Sequence, residues 1–164
     1  MKQPTILLII NPKSGKNRAL KDYPALLSFL ETQGQVEVFF TQKNQEFNSL
    51  THLKKTYPSL QWIVVCGGDG TLNTVVNAFY SFDDLQFVFL PYGTVNIFAK
   101  ENNYPKDRKK ALEKIFLQGV KRQVFLGSAQ NKQFLLMASV GFDGYLVQKV
   151  EQKGKKLGVF SYVF

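Results

Sequence analysis

Three short stretches of this 164-residue chain combine glycine with hydroxyl, amide and charged side chains. They are Asn11-Pro12-Lys13-Ser14-Gly15-Lys16, Gly67-Gly68-Asp69-Gly70-Thr71-Leu72-Asn73 and Pro91-Tyr92-Gly93-Thr94-Val95-Asn96. Each follows an apolar, strand-like run and comes just before a helical pattern, which is the chemistry of a phosphate cradle. Glycine lets the backbone approach an oxyanion closely, N–H groups at a helix start donate to it, and the helix dipole favours negative charge there. One such loop could as well be a plain strand-to-helix turn; three of them on one edge of a sheet point to a ligand. Two familiar motifs do not apply. Asn11 to Lys16 lacks the leading glycine of a P-loop, and Gly68 to Asn73 misses the third glycine of a dinucleotide fingerprint.

Asp69 stands in the middle of the second stretch. A carboxylate in a phosphate cradle repels its ligand unless a cation lies between them, and Mg²⁺, which takes oxygen ligands from carboxylates and substrate phosphates, resolves that conflict. The structural alternative is that Asp69 caps the helix starting near Leu72.

The elements that must carry these loops follow from periodicity. Thr5 to Asn11 is an almost continuous apolar run, as a strand buried on both faces requires. A helix with Leu20, Tyr23, Leu27 and Leu30 on one face leads to a strand over Val36 to Thr41. A second helix gathers Phe47, Leu50, Leu53 and Tyr57 before the strand Trp62 to Cys66. Leu72, Val75, Val76 and Phe79 then fall at i, i+3, i+4 and i+7, one helix face, ahead of the strand Phe87 to Leu90. A short helix over Asn96 to Glu101 and another carrying Ala111, Leu112, Ile115 and Phe116 follow, with Gly119 as its stop. This alternation predicts an α/β fold, a doubly wound, mostly parallel sheet with helices on both faces. Ligands of such sheets bind beyond the carboxyl ends of the strands, where the three loops lie.

From Arg122 the rhythm changes. Val124 to Leu126, Phe134 to Val140 and Tyr145 to Val150 are β-prone runs with turn residues between them, and they predict a hairpin or meander. The expected division is an α/β domain over residues 1–121 and the start of a second, β domain over residues 122–164, with Leu157 to Phe164 as a short apolar tail. A hairpin bearing Phe134, Leu136, Phe142, Leu146 and Val147 needs apolar cover, so an exposed apolar surface, a homo-oligomer or a missing C-terminal segment is expected.

Composition narrows the function classes. The net charge of +9 suits polyanions such as nucleotides, nucleic acids or acidic membranes, but the aromatic residues sit in apolar runs apart from the basic ones, which argues against a nucleic-acid reader. The single cysteine, Cys66, ends an apolar strand and reads as a small buried hydrophobe. The single histidine, His52, has no metal-ligand neighbours and excludes a histidine-based triad. With no apolar run near ~20 residues and no signal-peptide core, the expected location is cytoplasmic, with peripheral contact at the inner membrane surface through the basic region Lys149 to Lys156.

In order, Asn-Pro-x-Ser-Gly (Asn11 to Gly15), Gly-Gly-Asp-Gly-Thr-x-Asn (Gly67 to Asn73), Leu-Pro-x-Gly-Thr-x-Asn (Leu90 to Asn96) and Val-Gly-Phe-Asp (Val140 to Asp143) resemble the diacylglycerol kinase catalytic domain, with its bacterial lipid kinases and its sphingosine and ceramide kinase relatives. The four motifs cover nearly the whole chain; Gly-Gly-Asp-Gly alone is shared with NAD kinases and phosphofructokinases. The resemblance implies ATP-dependent transfer of the γ-phosphoryl group to the hydroxyl of diacylglycerol or a similar lipid. Carried over by position, Gly67, Gly68, Asp69, Gly70, Thr71, Asn73, Gly93 and Thr94 would hold ATP, together with Asn11, Ser14 and Gly15 of the first loop. Asp69 would work with Mg²⁺, and Lys16 and Asn96 would assist near the phosphates. Thr41 matches a nucleotide-contacting threonine of the bacterial members.

The resemblance also implies what this chain lacks. Family members run to about twice its length, with a β-sandwich second domain that supplies the acidic general base and part of the lipid site. Many have an aspartate where this chain has Ile97, an aspartate where it has Phe125, and a glutamate where it has Thr74. An altered or weakened active site is the expectation. Two alternatives stand beside the lipid kinase: a non-catalytic nucleotide-binding or regulatory module, and an enzyme similar to NAD kinases.

Overall fold

The computed structural model describes residues 4–42, 51–105, 107–119 and 121–138, with residues 141, 142, 144, 145 and 149. Strand β1 (Thr5–Ile10) is buried along its whole length. It is followed by α1 (Ser14–Glu31), β2 (Gln35–Phe40), α2 (His52–Thr56), β3 (Leu60–Gly67), α3 (Asp69–Phe79) and β4 (Gln86–Pro91). Two further helices, α4 (Ile97–Glu101) and α5 (Arg108–Gln118), precede a short hairpin of β5 (Gly127–Ala129) and β6 (Lys132–Phe134).

β1 to β4 form one parallel sheet in the order β2-β1-β3-β4. The chain therefore runs outward from β1 to β2, then crosses back to β3 on the other side of β1. The topological switch point lies between β1 and β3, the place where open α/β sheets leave a crevice. Register brings the strand ends level: Ile10 pairs with Phe40 and with Cys66, and Gly67 pairs with Pro91.

Alternation along the strands divides the core in two. Ile6, Leu8, Ile10, Val64, Cys66, Val88 and Leu90 face α1 and α5 through Ala19, Leu26, Leu30 and Leu112. Leu7, Ile9, Ile63, Val65 and Phe89 face the other way, against Val75, Val76 and Phe79 of α3 and Phe98 and Ala99 of α4. Helices on both faces are thus the observed architecture. Leu53 and Tyr57 pack at the margin of the second core; Phe47 and Leu50 lie outside the described residues.

Two sequence expectations are corrected. The inward stripe of α1 is Ala19, Leu26 and Leu30 with Tyr23 and Leu27 packed beside them, whereas Leu20 is 42% exposed. Gly15, Lys16 and Asn17 have left-handed backbone, so the regular helix starts after them; within it Ala19, Leu26 and Leu30 fix the buried direction, and Leu20, about 100° round from Ala19, falls outside it. The hairpin is the second correction. It pairs Gly127 with Phe134 and Ala129 with Lys132, and Val124 to Leu126 form no strand. Phe125 is 87% exposed. Strand propensity needs a pleated, half-buried surface to act on, and of this run only Leu126 packs against the core. Further on, Phe142, Gly144 and Tyr145 are helical rather than extended, with the Tyr145 N–H donating to the Gly141 carbonyl at 3.0 Å. Phe142 is 73% exposed, consistent with the expected apolar surface; Leu146, Val147 and the tail Leu157 to Phe164 lie outside the described residues.

Candidate functional site

The turns after β1, β3 and β4 meet at the carboxyl edge of the sheet. The N–H of Asn11 donates to the Cys66 carbonyl at 2.9 Å, and the Asn11 side-chain amide donates to Thr71 Oγ1 at 3.1 Å, joining the first loop to the second. Asn11 Oδ1 accepts from the Lys13 N–H at 3.2 Å, and the Ser14 N–H donates to the Asn11 carbonyl at 3.0 Å, which folds the first loop back over the strand end. Thr41 enters the same edge, its N–H donating to the Ile10 carbonyl at 2.8 Å.

Backbone proximity explains glycine at two places. Gly15 has φ +64°, and a Cβ there would lie 2.9 Å from the Tyr92 carbonyl oxygen, so the first loop touches the third through bare backbone. Lys16 and Asn17 continue the left-handed turn at φ 57° and 67°, a conformation that costs an L-residue ~1–2 kcal/mol. At the other contact, a Cβ on Gly93 would meet Gly68 Cα at 2.7 Å and Asn96 Oδ1 at 2.6 Å. The second and third loops are in contact because neither residue carries a side chain.

Asp69 has specific work in this arrangement. Its carboxylate accepts from the Ile97 N–H at 2.8 Å and the Phe98 N–H at 3.2 Å, capping α4. It does not cap α3, whose N-cap is Gly68 with no side-chain bond. Asp69 thereby locks the third loop against the second across the backbone. Among the described residues no group of three or more His, Cys, Asp or Glu side chains could hold a metal ion. Each Asp69 oxygen accepts one amide and keeps a second lone pair, so this single carboxylate can share Mg²⁺ only with substrate phosphates and water, not hold it in a protein cage.

The remaining candidates divide by what they present. Gly70, Thr94 and Lys16 are exposed at the rim. The first intrahelical bond of α3 runs from the Leu72 N–H to the Gly68 carbonyl, so the N–H groups of Gly70 and Thr71 precede the helical ladder. Gly67 accepts from the Tyr92 N–H at 2.7 Å, bracing the floor between the loops. Asn96, left-handed at φ 51°, donates its amide to the Gly93 carbonyl at 2.8 Å, and its buried Oδ1 has no partner. Sealed against Gly93 and acceptor in character, this oxygen does not present itself to a phosphate oxygen. Asn73 turns away from the loops: its Oδ1 accepts from the Leu135 N–H at 3.2 Å, on the hairpin side of α3.

Sequence reasoning passed over Tyr92, Asp22 and Arg108. Tyr92 is fully buried, and its hydroxyl donates to Asp22 Oδ2 at 3.0 Å. The Arg108 guanidinium lies 4.3 Å from the ring centroid while its Nε donates to the Pro91 carbonyl at 2.7 Å. Burial pushes the Tyr92 phenol up from its ordinary pKa, with Cys66 and Asp22 adding to the shift, so the ring stays neutral. The only sequence signal was its position between Pro91 and Gly93. Burial likewise raises the Cys66 thiol, in keeping with a structural side chain.

A family model described as the diacylglycerol kinase catalytic domain matches residues 5–129. A diacylglycerol kinase of Staphylococcus carnosus (strain TM300) is 30% identical over 160 residues, covering 94% of this chain and 51% of that protein. Another, from Staphylococcus aureus (strain MRSA252), is 29% identical over 158 residues, covering 94% and 50%. The chain spans about half the length of the curated relatives it matches. The crystal structure of a diacylglycerol kinase from Bacillus anthracis str. Sterne shares the fold, with a TM-score of 0.66 at 21% identity over 90% of this chain and 54% of that one. Since the match extends from β1 through β5, well over half of the chain, the chain belongs to the diacylglycerol kinase catalytic domain family.

Proposed function

We propose that this chain is the nucleotide-binding part of an ATP-dependent lipid kinase that phosphorylates the hydroxyl of diacylglycerol or a similar membrane lipid, with the α/β unit over residues 1–121 holding the nucleotide. The observation that carries this reading is Gly70. It is exposed in the first turn of α3, its φ is not in the left-handed region, and a Cβ there would meet nothing within 4 Å. The fold has no need of glycine at this point, whereas a phosphate drawn against the helix start has. The N–H groups of Gly70 and Thr71 are the donors for it, with Thr94, Ser14 and Lys16 around the rim. Phosphoryl transfer rests mainly on positioning and on stabilising charge, which a rim of backbone donors supplies. Mg²⁺ is expected as the counter-ion of the nucleotide, with Asp69 acting on loop position.

A pocket of about 220 Å³ opens beside this rim, between Asp69 and Gly70 on one side and Phe134, Leu136 and Met137 on the other. Its mixed lining suits an acceptor with a hydroxyl head and an apolar body. Peripheral contact with the membrane follows from the need to reach such an acceptor. Among the described residues no helix is long and apolar enough to cross a membrane.

The test is ATP binding and turnover with Mg²⁺ and diacylglycerol in mixed micelles. Gly70→Ala is expected to keep or slightly raise thermal stability, since alanine in a helix is worth ~0.5–1 kcal/mol over glycine, and to lose ATP-dependent stabilisation. Unchanged ATP binding in that variant overturns the placement of the phosphates. A module that binds nucleotide without turnover is the second reading, favoured by Ile97 at the Asp69 contact and by the exposed Phe125. ATP-dependent stabilisation with no phosphorylated lipid would select it.

A further inference from the structure

α3 carries the glycine loop at its N-terminus and two asparagines, Asn73 and Asn77, one turn apart on the side that meets the hairpin. Asn77 Oδ1 accepts from the Gln133 N–H at 2.9 Å, and its Nδ2 donates to the Gln133 carbonyl at 2.7 Å. The same Nδ2 reaches the Asn73 carbonyl at 2.9 Å, so every polar atom of this side chain is engaged. One turn earlier, Asn73 Oδ1 takes the Leu135 N–H at 3.2 Å. The two carboxamides bind alternate residues, Gln133 within β6 and Leu135 in the bend just after it, much as a neighbouring strand would. Their spacing suits this: four helical residues rise ~6 Å, and two strand residues advance ~6.7 Å.

We propose that Asn77, assisted by Asn73, is a positioning residue for the acceptor side of the site. The two seat β6 on α3 in one register and so place Leu135, Leu136 and Met137 in the wall of the pocket beside Asp69 and Gly70. Leu126, Leu135 and Leu136 pack on the α3 core and supply attraction, but apolar contact alone tolerates slippage. A slip of one residue would leave the Asn77 amide unpaired, which makes the register specific. Two three-residue strands cannot hold a hairpin by themselves, and asparagine does nothing for a helix interior. The helix that presents the glycine loop thus also sets where the second unit begins. The functional consequence rests on the kinase reading; the seat itself does not.

Residue-resolved hydrogen exchange on the whole chain tests the seat. Asn77→Ala is expected to accelerate exchange of the Gln133 amide roughly tenfold or more while amides of β1 and β3 keep their rates. Asn73→Ala should affect Leu135, and less strongly. Asn77→Asp keeps the acceptor but loses both donors, giving an intermediate rate at Gln133, and it decides the matter if the alanine variant also loosens the sheet. An unchanged Gln133 rate in both Asn77 variants overturns the seat. In turnover assays Asn77→Ala should raise the KM for lipid several-fold and leave the KM for ATP unaltered; equal changes in both, or neither, overturn the positioning role. Accelerated exchange in a chain that shows no ATP-dependent stabilisation supports the seat and removes the nucleotide-binding reading instead.

Discussion

The sheet with its loops and the segment after α5 were read from the same kinds of signal, yet they behave differently. In β1, β3 and β4 each strand is covered on both faces, so an apolar run has one way to fold and its boundaries move by a residue or two at most. After Gly119 the runs are as apolar, but pairing depends on surfaces that local sequence does not specify. The first hairpin strand starts three residues later than its β propensity suggests and the second two residues earlier, about the turn Gln130-Asn131, where both residues are left-handed. Strand position there is dictated by the turn and by α3, not by the hydrophobic run.

The largest expected effect that would sharpen this contrast is on stability. Phe79→Ala, at a fully buried position of the α3 core, should cost about 3–5 kcal/mol in urea unfolding. Phe125→Ser, at an equally apolar residue beyond α5, should change it by less than about 0.5 kcal/mol. Similar losses at the two sites would erase the distinction between the regions.

A smaller effect is expected at Asp69. Asp69→Ala removes two charge-assisted bonds to α4 and should destabilise the fold by about 2 kcal/mol without added metal. If stability holds and only Mg²⁺-dependent nucleotide binding weakens, the carboxylate serves the metal and not the helix.

The smallest effect lies far from the rim, where Lys54 Nζ sits 2.6 Å from Asp84 Oδ2 and also donates to the Leu60 carbonyl at 2.7 Å. The hydrogen bond from Lys54 holds the Asp84 carboxyl below its ordinary range. A depressed folded-state pKa stabilises above the unfolded value, about 3.9, and that contribution is lost as the pH falls through the folded value. The stability gap between the parent and Lys54→Met should therefore be widest near neutrality and narrow below that unfolded value. A gap that widens on acidification reverses the assignment.

The three loops were visible because glycine, hydroxyl and amide residues recur after apolar runs, and parallel pairing brings strand ends level. The partners within the loops were not. Nothing local shows that Asp69 reaches across 28 residues to the Ile97 N–H, or that Asn73 belongs to the hairpin, 62 residues away, and not to the loop in which it stands. Asn77 carried a weak signal, a second amide four residues on along an amphipathic helix. Leu20 misled because it shares an i, i+3 spacing with Tyr23 while the buried stripe is centred a step away, on Ala19, Leu26 and Leu30.

Tyr92 touches four parts of the rim at once. Its carbonyl lies against Gly15, its N–H is held by Gly67, its hydroxyl by Asp22, and its ring by Arg108. A residue pinned from α1, β3 and α5 together leaves the three turns little freedom to shift independently. Selection among nucleotides would then depend on how well a preformed edge matches them.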